Sequence, residues 1–154
     1  MSTQETIASE AIRYAVSANA CPCGGKETIL LVEDEPFVRQ ATGEALQSAG
    51  YRVVIAGNST QALEVHRTCS EPVDLLLADV VMPGMSGHDL AREFTALCPQ
   101  VRILLMSGYV EQLASRELSL YREEYMAKPF SILALLKRVR EVLDRNPHDP
   151  GALT

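Results

Sequence analysis

Five residues stand at the ends of short apolar runs. Glu33 and Asp34 follow "TILLV", Asp79 closes "VDLLLAD", Ser107 closes "VRILLMS", and Lys128 follows "EEYMA". Three carboxylates, a hydroxyl and an ammonium would meet if those runs lie side by side. Converging carboxylates resist ionising together unless a cation stands among them. A hard divalent ion supplies that charge. Mg2+ prefers oxygen ligands and typically takes one or two carboxylates plus a phosphate oxygen. A lysine opposite can pair with a phosphoryl oxygen or with the free acid, and a serine hydroxyl can hold another phosphoryl oxygen. The set fits phosphoryl transfer to a carboxylate, with Asp79 as nucleophile and an acyl phosphate as product. None of the five is specific alone. Their conjunction on successive strand ends is.

The elements that would position them are legible. "TILLVE", "YRVVIA", "VDLLLAD", "VRILLMS" and "EEYMA" read as strands, the apolar ones covered on both faces. Helical spacing follows each. In the first helix it marks Phe37, Val38, Ala41, Ala45 and Leu46, with Pro36 in the first turn and Gly50 at the stop. Asn58 or Ser59 caps the second helix, and Pro99 closes the third. A weaker helical stretch covers 109–121. The last helix is amphipathic, with Ile132, Leu135, Leu136, Val139, Val142 and Leu143 inward. Strands alternating with helices imply a doubly wound α/β fold, a five-stranded parallel sheet with helices on both faces. Functional groups in such sheets collect at the carboxyl ends of the strands, which is where the five residues are.

Composition sets the outer bounds. The chain has 154 residues, 47% hydrophobic and 22% charged, enough for one ordinary globular domain. A net charge of −6 argues against a nucleic-acid surface, which needs a basic excess. No apolar run approaches the ~20 residues of a membrane span, and no signal peptide opens the chain, so a cytoplasmic protein is expected, with no direct contact to nucleic acid or membrane. Residues 1–27 read as an N-terminal extension and linker, 28–145 as the domain and 146–154 as a tail. In the extension, "QETIASEAIRYAVSA" could form a short helix with Ile7, Ala11, Ile12 and Ala15 on one stripe. "CPCGG" then breaks it. Cys21 and Cys23 lack further ligands at zinc spacing, so this stretch is read as linker. Cys69 and Cys98 are read as half-buried thiols at helix ends, and His66, His88 and His148 as surface residues. Lys137, Arg138 and Arg140 are read as a solvated basic face.

The stretches "LLVEDE", "LLLADVVMPGMSG", "LLMSGY" and "KPF" resemble, in order and spacing, the receiver domain of two-component response regulators. The resemblance runs from Thr28 to Arg145, about three quarters of the chain. Its wording is similar to receivers at the C-terminus of hybrid sensor histidine kinases. Residues 1–27 carry no ATP-binding glycine motif, so the chain reads as a stand-alone receiver or one cut from a larger protein. The resemblance implies the flavodoxin-like (βα)5 fold and Asp79 as phosphoacceptor. It implies a Mg2+ site built from Glu33, Asp34, Asp79 and the Val81 carbonyl, with Asp34 in direct contact and Glu33 acting mainly through water. It further implies Ser107 and Lys128 as the hydroxyl and lysine that act on the phosphoryl group. Tyr125 matches the switch aromatic, expected to turn inward on phosphorylation, and the Lys128–Pro129 peptide is expected to be cis. The implied partners are a histidine kinase or histidine phosphotransfer protein as donor, and an unknown downstream protein. Glu33 and Ser107 stand where aspartate and threonine are commoner. No glycine occurs between Tyr109 and Met126, where the family often has one.

Rival readings attach to the same residues. The acids after the first strand can serve the helix that follows, since carboxylates favour the positive end of its dipole; Glu35 is read in that role alone. An aspartate-nucleophile phosphatase would carry a second acid two residues after the first, where this chain has Val81. A phosphorylation-independent binding module would not need the five-residue rim. The protein is therefore expected not to be an enzyme beyond its own phosphorylation and dephosphorylation. The resemblance implies that Val81 and Tyr109 flank the site; both are bulkier and drier than small polar residues and are expected to slow loss of the phosphate.

Overall fold

A computed structural model describes residues 24–68, 71–108 and 124–145. Five strands, β1 (Thr28–Val32), β2 (Arg52–Ala56), β3 (Leu75–Asp79), β4 (Arg102–Ser107) and β5 (Glu124–Ala127), form one parallel sheet in the order β2-β1-β3-β4-β5. Among the described residues there are four helices: α1 (Pro36–Ser48), α2 (Ser59–Thr68), α3 (Gly87–Leu97) and α4 (Ile132–Asp144). The helical stretch expected over 109–121 lies outside the described residues, as do Cys21, Cys23, Cys69, Tyr109 and the tail.

Period-two alternation along the strands divides the core. Leu30, Leu76, Ala78 and Leu105 face one side, with Ala62 of α2 and Leu90, Ala91 and Phe94 of α3. Ile29, Leu31, Leu75, Leu77, Leu104 and Met106 face the other, with Leu46 of α1 and Leu135, Leu136, Val139, Val142 and Leu143 of α4. Each buried leucine contributes about 1.5–3 kcal/mol over its exposed state, so these two layers supply most of the driving force.

Side-chain caps fix where the helices begin. Asn58 Oδ1 accepts the Gln61 N–H at 2.9 Å, Ser86 Oγ the Asp89 N–H at 3.2 Å, and Ser131 Oγ the Ala134 N–H at 3.1 Å. α1 starts differently. Pro36 opens it after Glu35, whose side chain makes no capping bond. The capping expected of Glu35 is thus positional only.

The expected inward faces need two corrections. Phe37 is 83% exposed and Ala41 is also exposed, while Thr42 and Gly43 are buried on α1. Ile132 is 37% exposed at the start of α4. Both Phe37 and Ile132 stand in the first turns of their helices.

Chain order reverses between β1 and β3. From β1 the chain leaves toward β2 on one side, then returns to pair as β3 on the other. The loops after β1 and β3 consequently diverge and open a crevice at the carboxyl end of the sheet.

Candidate functional site

The crevice holds the expected acids. One carboxylate oxygen each from Glu33, Asp34 and Asp79 lies within 4.8 Å of the others. Glu33 follows β1, is 1% exposed, and its backbone N–H donates to Ala56 O of β2 at 3.2 Å. Arg39, one turn into α1, donates Nη1 to the Glu33 carbonyl at 3.0 Å, which pins the loop from the far side. Asp34 is exposed. Asp79, 9% exposed, ends β3, the middle strand of the sheet.

Lys128 reaches this cluster from the end of β5. Its Nζ donates to Asp79 Oδ2 at 2.5 Å and to Glu33 Oε2 at 3.1 Å. The other oxygen of each acid is also held: Asp79 Oδ1 accepts the Val81 N–H at 3.1 Å, and Glu33 Oε1 the Glu35 N–H at 3.2 Å. Burial pushes the Glu33 carboxyl above the ordinary carboxylate range, against the Glu35 amide and Lys128, which favour the charged form. Burial also works against the Lys128 ammonium. Hydrogen bonds to Asp79 and Glu33 outweigh it and hold Lys128 above the ordinary lysine value. A single ammonium therefore serves two nearly buried acids. The surplus of negative charge and the hard oxygen donors suit a divalent cation.

The loop after β3 is set by a close approach. A Cβ on Gly87 would lie 2.3 Å from the Asp79 carbonyl oxygen, so only glycine lets α3 begin there. The Gly87 N–H donates to Val80 O at 2.9 Å, tying the helix start to the residue after Asp79. Gly87 reads as a turn residue from sequence. Its place in the first turn of a helix that abuts the site comes only from the fold.

Ser107 ends β4, one residue past the partner of Asp79 in the register, and is 2% exposed. Its carbonyl accepts the Lys128 N–H at 2.9 Å. The Lys128–Pro129 peptide is cis, as expected. Val81 is 68% exposed, beside Asp79 at the mouth of the crevice.

Tyr125 is already inward, at 8% exposure, with its hydroxyl 3.3 Å from His88 Nδ1 and the two rings 5.7 Å apart. His88 is therefore not a surface residue. It sits in the first turn of α3, and only the fold brings it to β5. His66 is likewise half-buried, edge-on to Phe94 at 5.5 Å. Cys98 is half-buried at the end of α3, as read. The basic run on α4 is only partly solvated. Lys137 is exposed, but Arg138 donates to the Tyr125 carbonyl at 3.3 Å, and Arg140 grips Glu27 and Asp144.

Among the described residues no helix is long and apolar enough to cross a membrane. The family model of the response regulator receiver domain matches residues 29–140. The sensor kinase CckA of Brucella abortus is 39% identical over 127 residues, 82% of this chain; the aligned region is 13% of the kinase's own length. The response regulator receiver protein CpdR of the same organism is 34% identical over 75% of this chain and 95% of its own. Among solved structures, the receiver domain of the hybrid histidine kinase CckA superposes with a TM-score of 0.65 at 30% identity, covering 76% of this chain and 99% of that one. The Thermotoga maritima response regulator TrrA, solved in complex with Mg2+-BeF, gives 0.65 at 31% identity over 75% and 98%.

Proposed function

This chain belongs to the response regulator receiver domain family, and from that premise we propose that Asp79 is the residue on which it accepts a phosphoryl group. The donor is a phosphohistidine on a kinase or phosphotransfer protein. A carboxylate oxygen of Asp79 attacks phosphorus and forms the O–P bond. The P–N bond breaks, and the imidazole leaves with its electron pair and takes up a proton.

Each neighbouring residue has a part that follows from its position. β3 and the Val81 N–H fix the carboxylate of Asp79 at the mouth of the crevice. Lys128 carries positive charge in contact with the acid and is placed to hold an oxygen of the incoming group. Ser107, on the neighbouring strand end, supplies a hydroxyl to another. Asp34, Asp79 and the Val81 carbonyl would hold Mg2+, with Glu33 acting through water. Bound there, the ion neutralises charge on the acids and on the phosphoryl oxygens. Glu33 also keeps Lys128 in place through its 3.1 Å contact.

Phosphorylation adds close to two negative charges and three acceptor oxygens beside a lysine already in use. Lys128 and Ser107 respond by shifting toward the new group. Carrying a switch from 1:99 to 99:1 takes about 5.5 kcal/mol, within reach of a few charge-assisted hydrogen bonds. Tyr125, packed on His88, couples β5 to α3 and is the route by which the change leaves the site. Beyond self-phosphorylation and dephosphorylation the domain is no enzyme, because Val81 stands where a phosphatase would carry its general acid.

One observation carries this reading: Lys128 Nζ lies 2.5 Å from Asp79 Oδ2 within a three-carboxylate cluster. The test is incubation with a small acyl phosphate and Mg2+, read by intact mass. We expect one phosphoryl adduct per chain, absent in Asp79→Ala and absent with a chelator. An adduct that persists in Asp79→Ala refutes the assignment.

A further inference from the structure

Ser59 is the first residue of α2 and is only 3% exposed. The cap of that helix is taken by Asn58, whose Oδ1 accepts the Gln61 N–H at 2.9 Å. A serine at the first helical position has no helical carbonyl one turn behind it to bond. Ser59 Oγ donates across the fold instead, to the Met85 carbonyl at 3.0 Å. Buried hydroxyls keep such partners, so this bond fixes Met85 to the start of α2.

Met85 belongs to the loop that joins β3 to α3. The Val80 N–H ties the start of that loop to Met106 O of β4 at 3.0 Å, and the Gly87 N–H closes it back onto Val80 O at 2.9 Å. Val80 and Met82 are buried in the core layer that also holds Ala62 of α2, while Val81 between them is 68% exposed. Gly84 then turns the chain with φ +82°. The backbone bonds of Val80 and Gly87 hold the loop to β4 and to itself. Ser59 holds its other side to α2.

The Val81 backbone lies between these ties. Its N–H holds Asp79 Oδ1 at 3.1 Å, and its carbonyl is one of the ligands of the cation site proposed above. Mg2+ demands near-ideal octahedral geometry at about 2.0–2.1 Å, so a backbone ligand has to be held in place before the ion arrives. We propose, on that reading of the site, that Ser59 is a positioning residue: its bond to the Met85 carbonyl braces the loop after β3 against α2 and so sets the Val81 carbonyl for Mg2+. The brace joins residues 26 apart in the chain and reaches the site from α2, which supplies none of the acids.

Mg2+ affinity can be read in the full chain from the rise of the urea midpoint with added Mg2+, because a ligand of the folded state stabilises it by an amount set by concentration over Kd. Ser59→Ala should weaken Mg2+ about tenfold, the low end of what removing a group behind a metal ligand costs. A purely structural bond would instead lower the metal-free midpoint and leave the Mg2+ increment alone. Ser59→Thr and Ser59→Val share one shape and differ in the hydroxyl, so any crowding is common to both; the threonine variant should bind Mg2+ more tightly than the valine variant. Equal Mg2+ affinity in wild type and Ser59→Ala overturns the proposal. Equal affinity in Ser59→Thr and Ser59→Val does so too, and assigns Ser59 to packing alone. A wild-type midpoint that Mg2+ does not move sinks the cation site itself, and the role of Ser59 with it.

Discussion

Gly87→Ala isolates the contact that shapes the site. The added Cβ would lie 2.3 Å from Asp79 O and 3.0 Å from both Asp79 C and Val80 Cα. All three are backbone atoms of Asp79 and Val80 and cannot rotate aside. A comfortable carbon–oxygen contact needs about 3.3 Å, so α3 and the loop must part by about 1 Å. Overpacking of this kind costs about 1–3 kcal/mol, and stretching the Gly87 N–H bond to Val80 O adds up to about 1 kcal/mol. Against that stands a helix-propensity gain of at most about 1 kcal/mol, smaller in the first turn. The expected balance is a loss of about 2 kcal/mol, or about 8 °C in Tm for a domain of this size. A displacement of about 1 Å at a reacting atom can cost on the order of 100-fold in rate, so phosphorylation by a small acyl phosphate should slow at least about tenfold. Urea unfolding and intact-mass time courses measure both effects. Two glycines serve as contrasts. Gly84 has φ +82° and nothing within 4 Å of an added Cβ, so Gly84→Ala should lose only about 1–2 kcal/mol to backbone strain with the rate kept. Gly43 lies inside α1, where a Cβ meets the movable Ile55 Cδ1 at 3.2 Å, so Gly43→Ala should be neutral or stabilising. Wild-type stability and rate in Gly87→Ala would refute the reasoning.

Further expectations follow from the ion pairs and the rim. Lys128→Met leaves Glu33 buried with no ammonium beside it; stability at pH 7 should fall by about 1–3 kcal/mol, discounted because Lys128 is partly exposed, and Mg2+ should restore part of it in urea titrations run with and without chelator. Phosphorylation of the same variant should slow on the order of 100-fold. The hydrogen bond from Arg140 holds Glu27 below its ordinary value of 4.5, so this pair adds stability above pH 4.5 that is lost as pH falls through the lower folded value. Arg140→Met should therefore cost about 1–2 kcal/mol near neutrality, and the gap to wild type should narrow in unfolding curves taken below pH 4.5; a gap constant with pH would count against it. Val81 is exposed beside Asp79, so Val81→Asn, which can orient water, should shorten the lifetime of the aspartyl phosphate, followed by mass after donor removal.

The sheet was legible because β1, β3 and β4 are nearly continuous apolar runs. Every strand in the structure lies within its expected stretch, and β1 to β4 are trimmed by one or two residues where turns begin. The acids, Ser107 and Lys128 were legible for a related reason: a polar residue ending an apolar run has few places to go but the strand end. What could not be read depended on contacts between segments distant in sequence. His88 and Tyr125 are 37 residues apart, and Arg140 and Glu27 are 113 apart; neither pair has a local pattern. Phe37 has the spacing of a core residue, but spacing cannot reveal which turns of a helix the fold leaves uncovered. Gly87 looks like any glycine after a turn, since the steric demand comes from a backbone it does not adjoin in sequence.

β3 has two strands on each side of it in the sheet, and its residues from Leu75 to Ala78 have no solvent exposure. Its amides should be among the last in the molecule to exchange with deuterium, opening only with global unfolding. Asp79 is thus mounted on the central, fully covered strand of the frame. On the reading proposed above, a new charge on Asp79 would be accommodated outward, at Ser107 and Lys128, rather than by moving β3. Rigidity at the centre would then make the periphery responsive. Exchange measured before and after phosphorylation should leave β3 unchanged while the segments around Ser107 and Lys128 alter their protection.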